Sequence, residues 1–188
     1  MNLGDSIRLI RDTKATLIPA GHEQVLPSGT EVAISQALGG AVTVRTSEGL
    51  YRIPSKDWDA LGDEMQKQLE ENISEAEMVA DDEPFSEARV WNALKNCFDP
   101  EIPLNIVDLG LIYDLKILDS GIPGKHRIEV QMTLTAQGCG MGSVIAEDAK
   151  NQIEKIAQVD SAEVSIIWEP PWTPHMISEE GKQTLGLE

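Results

Sequence analysis

The chain has few means of covalent bracing and no evident route into a membrane. Cysteine occurs only at Cys97 and Cys139 in 188 residues. Two thiols make no disulfide framework, which predicts a reducing, cytoplasmic setting. Aromatic residues make up 4%, so the 41% of hydrophobic residues must build a mostly aliphatic core. Basic side chains are scarce as well: 15 Lys and Arg face 32 Asp and Glu, a formal net charge of −17. A nucleic-acid binder needs a basic footprint to displace counterions, and an anionic membrane attracts polybasic segments. Neither partner is expected. No apolar run reaches the roughly 18–20 residues of a membrane span. Met1 to Ile10 is charged early and has no apolar stretch, so no secretory signal is expected there.

What is present is unevenly distributed. Residues 1–62 hold seven acids and six bases, whereas residues 63–83 hold nine acids and one base, Lys67. Like charges at that density repel and oppose compaction. Residues 63–83 therefore read as an acidic linker. Met65, Leu69 and Ile73 recur at helical spacing, so part of it is expected to be helical.

Before the linker, residues 1–62 read as a small all-β domain. Apolar and β-branched clusters at Ile7–Ile10, Thr16–Ile18, Val32–Ile34, Ala41–Val44 and Leu50–Ile53 are separated by Pro/Gly turns. Short strands so closely spaced suggest a small β-barrel or SH3-like sheet. His22, beside Glu23 in a turn, is its one obvious chemical handle, and no catalysis is assigned to it. The domain reads as an interaction or dimerisation module.

Residues 84–188 read as α-β-β-α-β. Ser86 can cap a first helix whose buried face is Val90, Trp91, Leu94, Cys97 and Phe98, ending at Asp99-Pro100. Cys97 on that face is a core residue. Leu111 to Leu118 forms a strand. His126 to Thr135 alternates most clearly, with Ile128, Val130, Met132 and Leu134 on one side. The turn Gly138-Cys139-Gly140-Met141-Gly142 leads into a helix with Val144, Ile145, Ala149, Ile153 and Ile156 on its apolar face. A last strand, Ala162 to Trp168, stops at Pro170-Pro171. Strand, helix, strand is a crossover unit, so the last strand should run parallel to the one before the helix. The whole is α+β, with the second domain a mixed sheet carrying helices on one face.

The topology puts Cys139 between a strand end and a helix N-terminus, where unpaired amides and the helix dipole favour a thiolate. Glycines on both sides let a ligand or metal approach the backbone. A thiolate there can attack, or bind a soft metal. Asp99, Glu101 and Asp108 fall in irregular stretches, where carboxylates serve as turn residues or join a metal. Glu169 to Pro174 places stiff prolines around Trp172, either a binding rim or a core cover.

Four blocks carry a resemblance: Asp99-Pro100-Glu101-Ile102-Pro103, Ile106 to Tyr113, Met132-Thr133-Leu134-Thr135 with Gly138-Cys139, and Trp168 to Met176. In this order they resemble the metal–sulfur cluster assembly (PaaD-like) family. Leu26-Pro27-Ser28-Gly29-Thr30 and Gln36 to Gly40 resemble the extension that marks its SufT subgroup. The resemblance implies an auxiliary factor in iron–sulfur protein maturation, not an enzyme with its own turnover. It implies cofactor-binding roles for Cys139, Asp99, Glu101 and Asp108, with Cys139 as the metal contact. Its implied partners are iron–sulfur carrier or scaffold proteins and apo target proteins. Clusters usually want four thiolates, and the chain has no CxxC. Cys139 alone cannot hold one stably. A homodimer contributing two Cys139 thiolates could share a labile iron–sulfur cluster, as a carrier does; an adaptor would hold none. Two other classes stay open at this point. A cysteine-dependent hydrolase or thiol transferase needs a base, for which His175 is better placed than His22 or His126. A non-catalytic scaffold with no metal or thiolate role would work through residues 1–83.

Overall fold

In a computed structural model that describes residues 6–77, 84–138 and 140–187, the chain divides into two units, Met1–Val79 and Ala80–Glu188. The class is α+β: the first unit holds a six-stranded sheet and the second a three-stranded one.

The first unit is built on β1 (Ser6–Arg8), β2 (Thr13–Ile18), β3 (Glu23–Leu26), β4 (Glu31–Leu38), β5 (Ala41–Arg45) and β6 (Leu50–Pro54). The sheet order is β1-β4-β5-β6-β2-β3, antiparallel throughout. In β4 the alternation holds at Val32 and Ile34, both buried. Four successive residues of β5, Ala41 to Val44, are buried, so that strand is covered on both faces. The unforeseen strand is β3. Its sequence is half polar and only Leu26 is buried; hydrogen bonding to β2, not burial, makes it a strand. After β6 a 3-10 segment, Ser55–Leu61, turns Trp58 and Leu61 into the core.

Residues 63–83 begin as α1 (Asp63–Glu77). Leu69 is buried in the first unit's core and Met65 packs against it, while Glu64, Lys67, Glu70 and Glu71 are exposed. Two residues one helical turn apart, Met65 and Leu69, thus seat the start of this segment despite its charge. Residues 78–83, which include Asp81-Asp82-Glu83, lie outside the described residues.

One ion-pair fork braces the 3-10 segment. The Arg11 Nε donates to Asp59 Oδ2 at 2.6 Å, its guanidinium also meets Asp59 Oδ1, and a third bond reaches Asp57 Oδ1 at 3.2 Å. The hydrogen-bonded guanidinium holds the Asp59 carboxyl below the usual carboxylate range. A carboxyl lowered in the folded state stabilises above its unfolded pKa of about 4, and that contribution is lost as pH falls through the folded value. Arg11→Gln is therefore expected to lower the thermal midpoint more at pH 7 than at pH 3. Equal shifts at both pH values would show that the fork contributes nothing through charge.

The second unit follows the order α2 (Glu87–Lys95), β7 (Ile112–Asp119), β8 (His126–Met132), α3 (Gly142–Glu154), β9 (Val159–Ile166) and α4 (Glu179–Leu185). The sheet order is β7-β8-β9. β7 and β8 are antiparallel, and β8 and β9, joined through α3, are parallel. Ile128, Val130 and Met132 point inward, and α3 packs Ile145, Ala149 and Ile153 among the buried residues. α3 lies against β9 and α2. Among the described residues, no helix is long and apolar enough to cross a membrane.

Several boundaries differ from the sequence reading: β8 ends at Met132, not Thr135, and β9 spans Val159–Ile166, not Ala162 to Trp168. α2 stops at Lys95, not at Asp99-Pro100. The Asn96 and Cys97 amides bond three residues back, and the Cys97 carbonyl accepts from the Ile106 amide, so the chain leaves the helix to pair with the following loop. Cys97 remains buried, at 2% exposure. α4 was not foreseen. Ser178 caps it, its Oγ accepting from the Gly181 amide at 3.0 Å.

Candidate functional site

One end of the three-stranded sheet gathers the blocks that the sequence singled out. Met132, the last residue of β8, pairs with Ile112 at the start of β7 and with Ile166 at the end of β9. Beyond them the Thr133 amide bonds to Leu111 O and the Ile167 amide to Met132 O, both at 2.8 Å. The loop holding Asp99, Glu101 and Asp108 enters β7 at this end. The glycine turn leaves β8 here, and the Trp168–Met176 block leaves β9 here.

The loop between α2 and β7 is pinned by its apolar residues: Leu104, Ile106, Leu109 and Leu111 are buried. Its carboxylates have different surroundings. Asp99 is buried, and its Oδ1 accepts from the Glu101 and Ile102 amides at 2.8 Å each. It shapes the turn on which Glu101 stands exposed. Asp108 is half-buried; Oδ2 accepts from Asn105 Nδ2 at 2.6 Å and Oδ1 from Ser178 Oγ at 2.9 Å.

Cys139 lies outside the described residues. Gly138 has φ +87° and is exposed. α3 begins at Gly142, where an added Cβ would come within 2.6 Å of Leu134 Cδ1 and 3.2 Å of Ile166 Cδ1. That glycine lets the helix start press against the sheet end. The first intrahelical bond runs from the Ile145 amide to Met141 O. The amides before it have no intrahelical acceptor, Met141 supplies no side-chain cap, and the first turn holds no acid. This leaves the positive helix end uncompensated within its own helix.

Sequence reasoning did not find the polar tethers around this end. Tyr113 Oη donates to Pro170 O and Trp172 Nε1 to Leu109 O, both at 2.8 Å. Ser178 N donates to Asp108 O at 2.8 Å. Trp172, which the sequence left between rim and core cover, is half-buried. Ser178 before Glu179-Glu180 is an N-cap signal that could have marked α4. The histidines are dispersed. His22 is exposed in the first unit, and His175 is exposed in a 3-10 turn. His126 stacks on Phe85, with ring centroids 3.9 Å apart. It begins β8, about 20 Å from the strand's other end at the usual rise per residue. Among the described residues, no group of three or more His, Cys, Asp or Glu could hold a metal ion.

Residues 87–166 match the family described as Iron-sulfur cluster assembly protein. The chain is 40% identical over 89 residues to the Fe-S protein maturation auxiliary factor SufT of Staphylococcus aureus, a match covering 47% of this chain and 96% of that protein. It is 34% identical over 99 residues to the Fe-S protein maturation auxiliary factor YitW of Bacillus subtilis, covering 53% and 92%. It is also similar to a crystal structure of a domain of unknown function from Bacillus anthracis, at 32% identity and a TM-score of 0.48, covering 54% and 92%. Each match takes in nearly the whole of the other protein and about half of this chain.

Proposed function

Because this chain belongs to the iron–sulfur cluster assembly protein family, we propose that it is an auxiliary factor in iron–sulfur protein maturation acting through Cys139. The observation that carries this reading is the near full-length match to relatives named as maturation auxiliary factors. The iron–sulfur cluster is cargo here, not a resident cofactor. One thiolate per chain is too few to hold a cluster stably, and that shortage suits transient contact. Cys139 meets the cargo, directly or across two subunits. Glu101, exposed on the turn that Asp99 shapes, is the carboxylate proposed to join it. The uncompensated start of α3 favours the thiolate form of a cysteine close by.

The partners are an iron–sulfur carrier or scaffold and an apo target protein, in the reducing cytoplasm. The first unit serves as the interaction module. The reading is tested by deleting the gene and assaying aconitase, a labile [4Fe–4S] enzyme, under iron limitation. Activity is expected to fall and to return with the full chain. Unchanged aconitase activity and unchanged cluster content across other [4Fe–4S] enzymes would sink the proposal. Anaerobic mixing of purified protein with iron, sulfide and apo-aconitase then separates the two modes. Visible cluster absorbance on this protein before transfer marks a carrier. Faster transfer from a separate carrier, with no such absorbance, marks an adaptor.

A further inference from the structure

We propose that the open edge of the three-stranded sheet is an interface between two copies of this chain, in which β7 pairs antiparallel with β7 of a second copy about a two-fold axis at Leu115. The inference does not rest on the maturation reading.

The two edges of this sheet differ. The order β7-β8-β9 leaves one side of β7 and one side of β9 without a strand partner. At the β9 edge α3 lies against the strand, and the Ala162 amide donates to Glu154 Oε1 at 3.1 Å. At the β7 edge, among the described residues, no main-chain hydrogen bond joins residues 113–118 to any segment other than β8. Alternate amides and carbonyls of such a strand point away from its neighbour and can template another strand.

The side chains along β7 choose the occupant and the register. Leu115 and Ile117 pair with Val130 and Ile128, which are buried, yet both are only half-buried themselves. They lie on the inner face of the sheet with their flanks away from β8 uncovered. Asp114 and Lys116 pair with Gln131 and Glu129 and lie on the outer face, as does Leu118, which is 38% exposed. Charge on an edge strand ordinarily repels a second strand. Here it is self-complementary. A two-fold axis perpendicular to the sheet keeps the inner faces of both copies on one side, so outer residues meet outer residues. An axis at Asp114 or at Lys116 sets like charges against each other. An axis at Ile117 sets Lys116 against Leu118. An axis at Leu115 sets each Asp114 opposite Lys116 of the second copy, and Leu115 meets itself on the inner face. Within one chain Lys116 Nζ already stands 3.3 Å from Asp114 Oδ2. Two copies close these four groups into a ring of alternating charge, and opposite charges set directly across strands stabilise the pairing.

This geometry has a consequence for the candidate site. β7 begins at the sheet end that gathers the candidate blocks, and antiparallel pairing points the two such ends in opposite directions. The two Ile112 residues then stand about 20 Å apart along the strands. The pair presents two separate candidate sites, one on each subunit.

The test is sedimentation velocity on the full chain over a wide concentration series, with amide exchange followed in parallel. Wild type is expected to pass from monomer to dimer, and exchange at residues 113–118 to slow as dimer forms. Asp114→Lys and Lys116→Asp each turn both opposite-charge pairs into like-charge pairs, and each should weaken the dimer about tenfold or more. The double variant exchanges the charges within one strand and should dimerise as wild type does. An equimolar mixture of the two single variants should form a mixed dimer, because every cation again meets an anion. That recovery also shows that both single variants are folded. A monomer throughout the series overturns the proposal, as does a dimer that neither single variant weakens. Slowed exchange confined to residues 6–77 would place the contact in the first unit and overturn it as well. A monomer whose residues 113–118 slow only when an apo target protein is added would make this edge a site for another protein's strand, and would overturn the second copy as its occupant.

Discussion

Cys139→Ser is expected to reduce complementation of the deletion strain to the level of the empty vector, with protein abundance unchanged. The substitution is nearly isosteric, so the fold has little reason to respond. The chemistry has every reason to respond. The thiolate is the form that binds iron or exchanges ligands, and a serine hydroxyl stays protonated at neutral pH and is a hard oxygen donor. The chain offers no neighbouring CxxC cysteine as a substitute, and Cys97 is buried in the second unit's core. Aconitase activity under iron limitation, at matched levels on an immunoblot, checks the expectation. Full rescue by the serine variant would remove the thiolate from the mechanism and leave a scaffold acting through its surfaces.

Gly110→Ala is expected to lower the thermal midpoint of the second unit by roughly 10 °C or more. Two effects combine at this position. Gly110 has φ +71°, a left-handed conformation that disfavours an alanine by about 1–2 kcal/mol. A Cβ there would also stand 2.2 Å from Met176 O and 2.8 Å from Met176 C. Backbone atoms cannot yield as a side-chain tip does, so the Trp168–Met176 block must shift or the loop before β7 must. Together these amount to about 3 kcal/mol, at the upper end of ordinary single-residue effects. Gly121→Ala is the control, since Gly121 has φ +79° with nothing within 4 Å of an added Cβ. It should lower the midpoint by only a few degrees. Equal shifts for the two variants would show that contact with Met176 adds nothing to backbone conformation. The two predictions separate chemistry from support: one removes a reactive atom and spares the fold, the other displaces the Met176 backbone and spares the thiol.

The order α-β-β-α-β in the second unit, the parallel β8–β9 pair and the inward residues of β8 were legible because they rest on local signals. Alternation at Ile128, Val130 and Met132 fixes a face, and a helix between two strands fixes their relative direction. The six-stranded sheet of the first unit was legible in part for the same reason, since Val32, Ile34 and Ala41–Val44 announce their own burial. β3 escaped because it is an edge strand: three of its four residues face solvent, and its identity comes from pairing with β2. The helical spacing of Met65 and Leu69 was readable in the acidic segment, but not the core that Leu69 enters.

At the candidate site the division is sharper. By itself the sequence determined the candidates: one thiol among glycines between a strand and a helix, with Asp99, Glu101 and Asp108 as proposed companions. Only the tertiary structure decided what those carboxylates touch. The Ser178–Asp108 bond joins residues 70 apart and the Trp172–Leu109 bond residues 63 apart, so no window of sequence contains either pair. Periodicity encodes which side of an element is buried, because burial follows from side-chain type at each step along the chain. It does not encode which distant polar groups meet. That is fixed by strand order, which puts the chain leaving β9 at the same sheet end as the loop entering β7, where Ser178 meets Asp108.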